Sequence, residues 1–418
     1  MNAPLRVTHI SPHVGGGVGS CLKELFFNSI RSRRLENTLI CLDRCENNLQ
    51  EISSLVPVAH GISTKTASSL NNSLQSSDVV VIHYWNHPLM AHAIHSGVFN
   101  NLKLLIWCHN SGLQEPHILP SHLKALTKRI VFTSRASQHA ANIGSLLGDE
   151  TMQLVHVNPV PNLRHLRSIG HLRAASRPNN RLLYLGTVSN TKMHPDSPRI
   201  FAELSRQGFR IQVIGGPDHQ LLSQQVSSLG GEVEIFGPQS NPARFFRDSD
   251  IFVYPLRKNH YGAGELVLME AAVAGLPIVA FDNTSESYLI NGLSSCTLAT
   301  NTDIFLRSVL DTARLLAENP NLPAALSAQA IDRFNSTQST EQLEEMIIET
   351  ADEPRISQTD SSIPNVDMAG LYARFSFFEE SLYQKCLADQ NASGEVVLTK
   401  ITQLLKNPSG FRQWSSPH

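Results

Sequence analysis

The sequence predicts an α/β protein built from two doubly wound parallel sheets. Two observations carry this. Short β-branched or apolar runs alternate with longer helix-period segments along most of the chain, and the alternation pauses once, in a polar basic stretch, before it resumes. At 418 residues the chain is also too long for a single ordinary core, so two domains and an appendage are expected.

In the first half, strands are expected at 6–10, 38–42, 79–83, 104–108, 130–133 and 154–157, with helices at 20–29, 88–96 and 134–141. Residues 164–180 are polar and basic and end in Arg177-Pro178-Asn179-Asn180, a composition suited to an exposed linker. The second series has strands at 181–185, 210–214, 233–236, 251–254 and 277–281, and helices at 195–207, 221–228, 243–249, 265–274 and 302–318. Residues 351–367 are rich in Ser, Asp, Thr and Pro and read as a connector to a tail with amphipathic helices near 375–389 and 395–405. The expected domains are therefore 1–170 and 171–350, with 351–418 as connector and tail.

Composition narrows the function. The 34 basic residues nearly balance the 36 acidic ones, which argues against nucleic acid as the main partner. No apolar run reaches the roughly 20 residues that a membrane-spanning helix needs. Met1–Val7 lacks the apolar stretch of a secretory leader, and the six cysteines are scattered, as reduced thiols would be, so the expected compartment is the cytoplasm.

Ligands of doubly wound sheets sit at the carboxyl ends of the strands, so the loops after each strand are where chemistry is sought. The first strand empties into Gly15-Gly16-Gly17-Val18-Gly19 and then a helix, whose free amides suit a diphosphate or a polar hydroxyl. A dinucleotide site is a rival reading, because Asp43 lies about where a ribose-binding acid belongs. A turn serving only tight packing is a second rival. In the second half, the strand ending at Leu185 opens into Gly186-Thr187-Val188-Ser189-Asn190-Thr191-Lys192, where a lysine is placed to neutralise a diphosphate, although a single loop lysine is more often merely solvated. The run from Tyr254 to Ala280 leads from a strand end through a polar, glycine-bearing loop to a largely apolar helix. Glu265 falls in the first turn, where helix capping is the ordinary role of a carboxylate. Glu270 falls among apolar neighbours and needs a partner, which ribose hydroxyls would supply.

The run from Tyr254 to Ala280 resembles the donor-site signature of the retaining glycosyltransferases of family 4 and their relatives. That pattern is a strand ending in proline, a glycine-rich loop, and two glutamates separated by seven residues on a helix ending Ala-Gly-Leu-Pro. The resemblance covers about residues 5–350. It implies the GT-B architecture: two Rossmann-like domains facing a central cleft, the N-terminal one binding the acceptor and the C-terminal one a UDP- or GDP-sugar, with no metal and no other cofactor. Glu270 matches the ribose-binding glutamate. Gly15–Gly19 resembles the N-terminal glycine loop, His109 the histidine facing the donor sugar, and Lys192 the phosphate-binding lysine. The segment 282–286 and the Asn319-Pro320 turn are also similar.

The chain departs from the pattern at two positions. Gly262 stands where most members carry the first glutamate, and Thr187 where many carry an arginine. Glu265, in the loop His260-Tyr261-Gly262-Ala263-Gly264-Glu265, resembles a subgroup with a glutamate at this offset. It is expected to take over the sugar contact, with Arg257 or Lys258 replacing the arginine. On this reading His109, Lys192 and Glu265 are the catalytic candidates. Gly16, Gly17, Gly186, Thr187, Lys192, Arg257, Gly262, Gly264, Glu265, Leu266 and Glu270 bind the donor, and His13, Gly17 and His83 bind the acceptor. Replacing Lys192 by alanine should then cut turnover without unfolding the chain.

His83, His87, His92 and His95 fall close together, but no acidic residue joins them, and polar lining of a cleft is favoured over a metal site. Basic stretches at 31–34 and 124–129 raise the expectation of optional peripheral contact at the inner membrane face, to which Phe26 and Phe27 could add, although a buried helix face is the favoured reading of those two residues. The acceptor is a carbohydrate, a lipid-linked sugar or a protein. The competing readings are a non-catalytic GT-B relative, suggested by Gly262, and a dinucleotide-dependent oxidoreductase.

Overall fold

The computed structural model describes residues 3–42, 48–60, 74–85, 87, 90, 93–94, 98–113, 119, 121–140, 152–169, 179–239, 241–258 and 260–356. The chain divides into two compact units, Met1–Val160 with Ser336–His418, and Pro161–Asn335. Asp43, His92, His95, most of the expected 88–96 helix, most of the 164–180 linker and the tail helices lie outside the described residues.

The first unit holds a seven-stranded sheet: β1 (Leu5–Ser11), β2 (Leu35–Cys41), β3 (Val58–His60), β4 (Val79–Tyr84), β5 (Leu104–Cys108), β6 (Arg129–Phe132) and β7 (Gln153–His156). The order is β3-β2-β1-β4-β5-β6-β7 and every pairing is parallel. Strands β4 and β5 are buried along their whole length, as strands covered on both faces must be, and they read as mainly apolar runs. Helices α1 (Gly16–Ser32), α2 (Leu49–Ser53) and α3 (Arg135–Gln138) belong to this unit.

The second unit holds six parallel strands: β8 (Arg181–Leu185), β9 (Arg210–Ile214), β10 (Glu234–Gly237), β11 (Ile251–Tyr254), β12 (Ile278–Phe281) and β13 (Cys296–Ala299), in the order β10-β9-β8-β11-β12-β13. Its helices are α4 (Ser197–Arg206), α5 (His219–Ser228), α6 (Ala243–Asp248), α7 (Leu266–Val273), α8 (Thr284–Ile290), α9 (Thr302–Glu318) and α10 (Leu322–Arg333). In each sheet the order reverses once, between β1 and β4 and between β8 and β11. At such a reversal adjacent loops leave in opposite directions and open a crevice above the strand ends.

Two strands, β3 and β13, go beyond the sequence expectation. β3 is only three residues long, and β13 is a half-buried edge strand in a polar context, so neither carries a strong apolar signal. The last described helix, α11 (Ser336–Asp352), was expected within the second domain but packs on α1, β4 and β5 of the first unit. Its Leu343 and Ile347 are buried, Asn28 Nδ2 donates to Thr340 Oγ1 at 3.2 Å, and Ser32 Oγ donates to Glu344 Oε1 at 2.9 Å. Arg129, expected in a basic surface patch, is instead buried. It donates to Met346 O at 2.9 Å and pairs with Glu349 and Glu353 of the same terminal segment.

Candidate functional site

In the second unit the loops after β8 and β11 flank the reversal of strand order. They are clipped together by Arg257 N donating to Lys192 O at 3.0 Å, His194 N to Pro255 O at 2.8 Å, and the Arg257 guanidinium to Asn190 O at 2.8 Å. These contacts place Lys192 and Glu265 side by side. Lys192 Nζ is 3.0 Å from Glu265 Oε2, and both residues are buried. Tyr254 Oη donates to the same carboxylate oxygen at 2.5 Å. The Lys192 ammonium also lies 5.8 Å from the Tyr254 ring centre and 5.5 Å from that of Tyr261.

Burial works against both charges, and the pairing overrides it. The ammonium of Lys192 is held above its ordinary pKa by Glu265, while the Lys192 charge and the Tyr254 hydroxyl hold Glu265 below the ordinary carboxylate range. Glu265 is the N-cap residue of α7, yet its side chain makes no capping bond, because it turns to the lysine. The capping role is therefore replaced by an ion pair.

His260 organises the glycine loop. Gly262 N donates to its Nδ1 at 3.0 Å, which fixes the ring proton on Nε2, and that nitrogen donates to Glu286 Oε1 at 2.9 Å. Asn283 Nδ2 donates to the same oxygen at 3.1 Å, and Ser285 Oγ donates to Gly262 O at 3.1 Å. Gly262 was expected among the donor-binding residues, but its amide is spent on His260 and is not open to a donor. Gly264 is half-buried and Leu266 opens α7. Thr187 supplies its carbonyl to Tyr184 Oη at 2.7 Å, and its hydroxyl lies 3.4 Å from Tyr261 Oη. Gly186 has φ +153°, a conformation glycine adopts readily. Lys258 is exposed.

Glu270, on α7, is half-buried, and its carboxylate has no hydrogen-bond partner among the described residues. Burial pushes its carboxyl up to about 7. Tyr254, His260, Asn283 and Glu286 complete the cluster. Residue type alone gave them no role, because their function is to hold other groups and depends on which loops meet.

In the first unit Gly15 is the N-cap of α1 and donates its N–H to His13 Nδ1 at 3.1 Å, while Gly16 and Gly17 are exposed. His13 lies edge-on to Trp85 and His87, the loop residues after β4. His109 follows β5, is half-buried, and bonds through Nε2 to His83 Nδ1 at 3.0 Å. His83, expected at the acceptor, is fully buried with both ring nitrogens engaged, the second on His9 Nδ1 at 3.0 Å. It cannot touch an acceptor. Phe26 is buried against His9, which removes it from any exposed membrane-facing surface.

Residues 179–314 match the family described as "Glycosyl transferases group 1". Among curated proteins none matches the chain in sequence. Solved structures are similar across both units. HepE from Anabaena, solved with UDP and glucose, is 14% identical with a TM-score of 0.65 over 82% of this chain and 100% of its own. A glycosyltransferase from Rickettsia africae is 13% identical with a TM-score of 0.65, covering 84% and 100%. WaaG, a glycosyltransferase of lipopolysaccharide biosynthesis, is 13% identical with a TM-score of 0.55, covering 82% and 99%. At such identities the likeness speaks for fold. The two parallel-sheet units of this chain have the GT-B fold. Among the described residues no helix is long and apolar enough to cross a membrane.

Proposed function

We propose that the protein transfers a hexosyl group from a nucleotide-sugar, UDP- or GDP-linked, to a hydroxyl of a carbohydrate, lipid-linked or protein acceptor, with retention and without a metal ion. The reading rests on one arrangement above all. At the strand-order reversal of a group 1 domain, a buried lysine and carboxylate are paired, and a half-buried glutamate without a partner lies on the helix that follows. Donor complexes of structurally similar proteins support the choice of ligand: HepE was solved with UDP-glucose, and a TarM variant from S. aureus with UDP.

In this mechanism Glu270 accepts hydrogen bonds from the ribose hydroxyls. The bond between the anomeric carbon and the diphosphate oxygen breaks, its electron pair leaves on the diphosphate, the acceptor oxygen takes its place on carbon, and the acceptor hydroxyl's proton passes to the departing diphosphate oxygen. Lys192 stabilises the departing charge, which is the work a metal ion would otherwise do. In the absence of donor its ammonium is already neutralised by Glu265, so the diphosphate competes with that carboxylate, leaving Glu265 available to the sugar hydroxyls.

The test is a thermal-shift series with UDP, GDP and ADP and their sugars, followed by product analysis with the donor that binds. One nucleotide series should raise the melting temperature, and Glu270→Ala should abolish the rise. If no nucleotide shifts the protein, the reading fails. A second reading, a sugar-binding relative without turnover, is favoured by Gly262 and by the neutralised Lys192. It predicts the same shift with neither transfer nor hydrolysis of the donor.

A further inference from the structure

Four polar side chains climb diagonally across the sheet of the first unit. Asn37 on β2 is paired in register with Val7 of β1, and His9 stands two residues beyond Val7. His9 is paired with Val81 of β4, and His83 stands two residues beyond it. His83 is paired with Trp107 of β5, and His109 follows two residues later. A step of two keeps every side chain on the same face, so the four form a staircase from the sheet interior to its carboxyl edge.

The contacts along it are continuous. Asn37 Oδ1 is 3.0 Å from His9 Nε2, His9 Nδ1 is 3.0 Å from His83 Nε2, and His83 Nδ1 is 3.0 Å from His109 Nε2. At the inner end Asn37 Nδ2 donates to Ser29 Oγ of α1 at 2.8 Å, which turns the amide oxygen toward His9. Each uncharged imidazole has one donor and one acceptor nitrogen, so fixing one ring fixes the next. An acceptor at Asn37 requires N–H at His9 Nε2, then at His83 Nε2, then at His109 Nε2. The outermost nitrogen, His109 Nδ1, is left as a lone-pair acceptor, and it has no partner among the described residues. Burial lowers His9 to about 4 and His109 to about 3, and holds His83 well below its ordinary value, so the three rings stay uncharged at neutral pH.

We propose that Asn37, His9 and His83 are positioning residues that fix the tautomer of His109, so that His109 Nδ1 accepts a hydrogen bond from a ligand hydroxyl. That the hydroxyl belongs to a sugar rests on the transferase reading above; the polarity of the staircase does not.

The test reads the tautomers directly, by long-range nitrogen–proton NMR of the full chain labelled in its histidines. The expected spectrum shows Nε2–H at His9, His83 and His109, and Nδ1–H at His109 overturns the proposal. In Asn37→Leu, which removes the inner acceptor, His109 should acquire an Nδ1–H population, and an unchanged His109 tautomer also overturns it. The wild-type spectrum decides by itself should that variant fail to fold. With an active donor and acceptor, Asn37→Leu should lower kcat/KM about tenfold, the scale of one hydrogen bond to an uncharged partner, while UDP affinity stays unchanged. Correct tautomers in a protein that transfers no sugar would sink the transferase reading and leave the staircase standing.

Discussion

The carboxylate of Glu265 occupies the space that a side chain at Gly262 would need. A Cβ built on Gly262 would stand 1.6 Å from Glu265 Oε1 and 2.9 Å from His260 Nδ1. The two positions are therefore alternatives: a carboxylate reaches this spot either from 262 or from 265. Gly262 adopts no positive φ, so the crowding, and not the backbone, requires glycine.

This exclusion predicts a measurable coupling. Gly262→Ala should destabilise the protein by about 1–3 kcal/mol through overpacking, because the displaced carboxylate is held by Lys192 and Tyr254. In a Glu265→Ala background most of that cost should vanish, giving an interaction energy of about 0.5–3 kcal/mol in a double-mutant cycle. Chemical denaturation of the four proteins measures it. Simple additivity would show that Glu265 is not the obstruction.

Lys192 invites a second prediction that differs from the expectation for a loop lysine. Because the residue is buried in an ion pair, Lys192→Met strands the Glu265 carboxylate, and a loss of about 3–5 kcal/mol is expected. Adding Glu265→Gln removes the stranded charge and should recover much of the stability. If Lys192 stabilises the leaving group as proposed, turnover should remain down by at least about a hundredfold in both variants. Denaturation curves and initial rates separate the effects. A single variant as stable as the parent would mean that the pair is not closed in solution.

Much of this was legible in the chain, and the reason for each gap is physical. Strands such as β4 and β5 announce themselves as mainly apolar runs because both faces are buried. The segment from Tyr254 to Ala280 was readable because glycines, glutamates and a helix stop fall at fixed offsets. Sequence spacing could not tell that Lys192 and Glu265 are bonded to each other, since they lie 73 residues apart and meet only when two loops converge. His83 was misplaced for a similar reason: its role is set by the register of β1, β4 and β5, and the register is a property of the sheet. The terminal helix α11 was assigned by chain order, while its apolar face is matched to the other unit.

Glu270 supplies a pH-dependent prediction. Its carboxyl titrates at about 7 in the folded protein, whereas a glutamate in an unfolded chain titrates near about 4.3. Between those values the folded state keeps a proton that the unfolded state has lost, so stability falls as pH rises through this window. Glu270→Gln should abolish that decline and be the more stable protein above about pH 7, as denaturation at about pH 5 and about pH 8 will show. Ribose hydroxyls donating to the carboxylate would favour its charged form, so nucleotide binding near pH 6.5 should release part of a proton. Calorimetry in two buffers of different ionisation enthalpy reads that release, and buffer-independent heats would rule out the ribose contact.

The last prediction concerns α11. Its buried Leu343 and Ile347, with the Arg129 contacts to Met346, Glu349 and Glu353, tie the terminal segment to the first unit. Leu343→Ala removes methyl groups from a packed interior and should cost about 2–5 kcal/mol. The loss should be local to the first unit, whose β4 and β5 lean on α11. Native-state hydrogen exchange resolves this: amides of β4 and β5 should lose protection while those of β8 and β11 keep theirs. Equal loss in both sheets would show that the units unfold as one, and that α11 serves the whole chain.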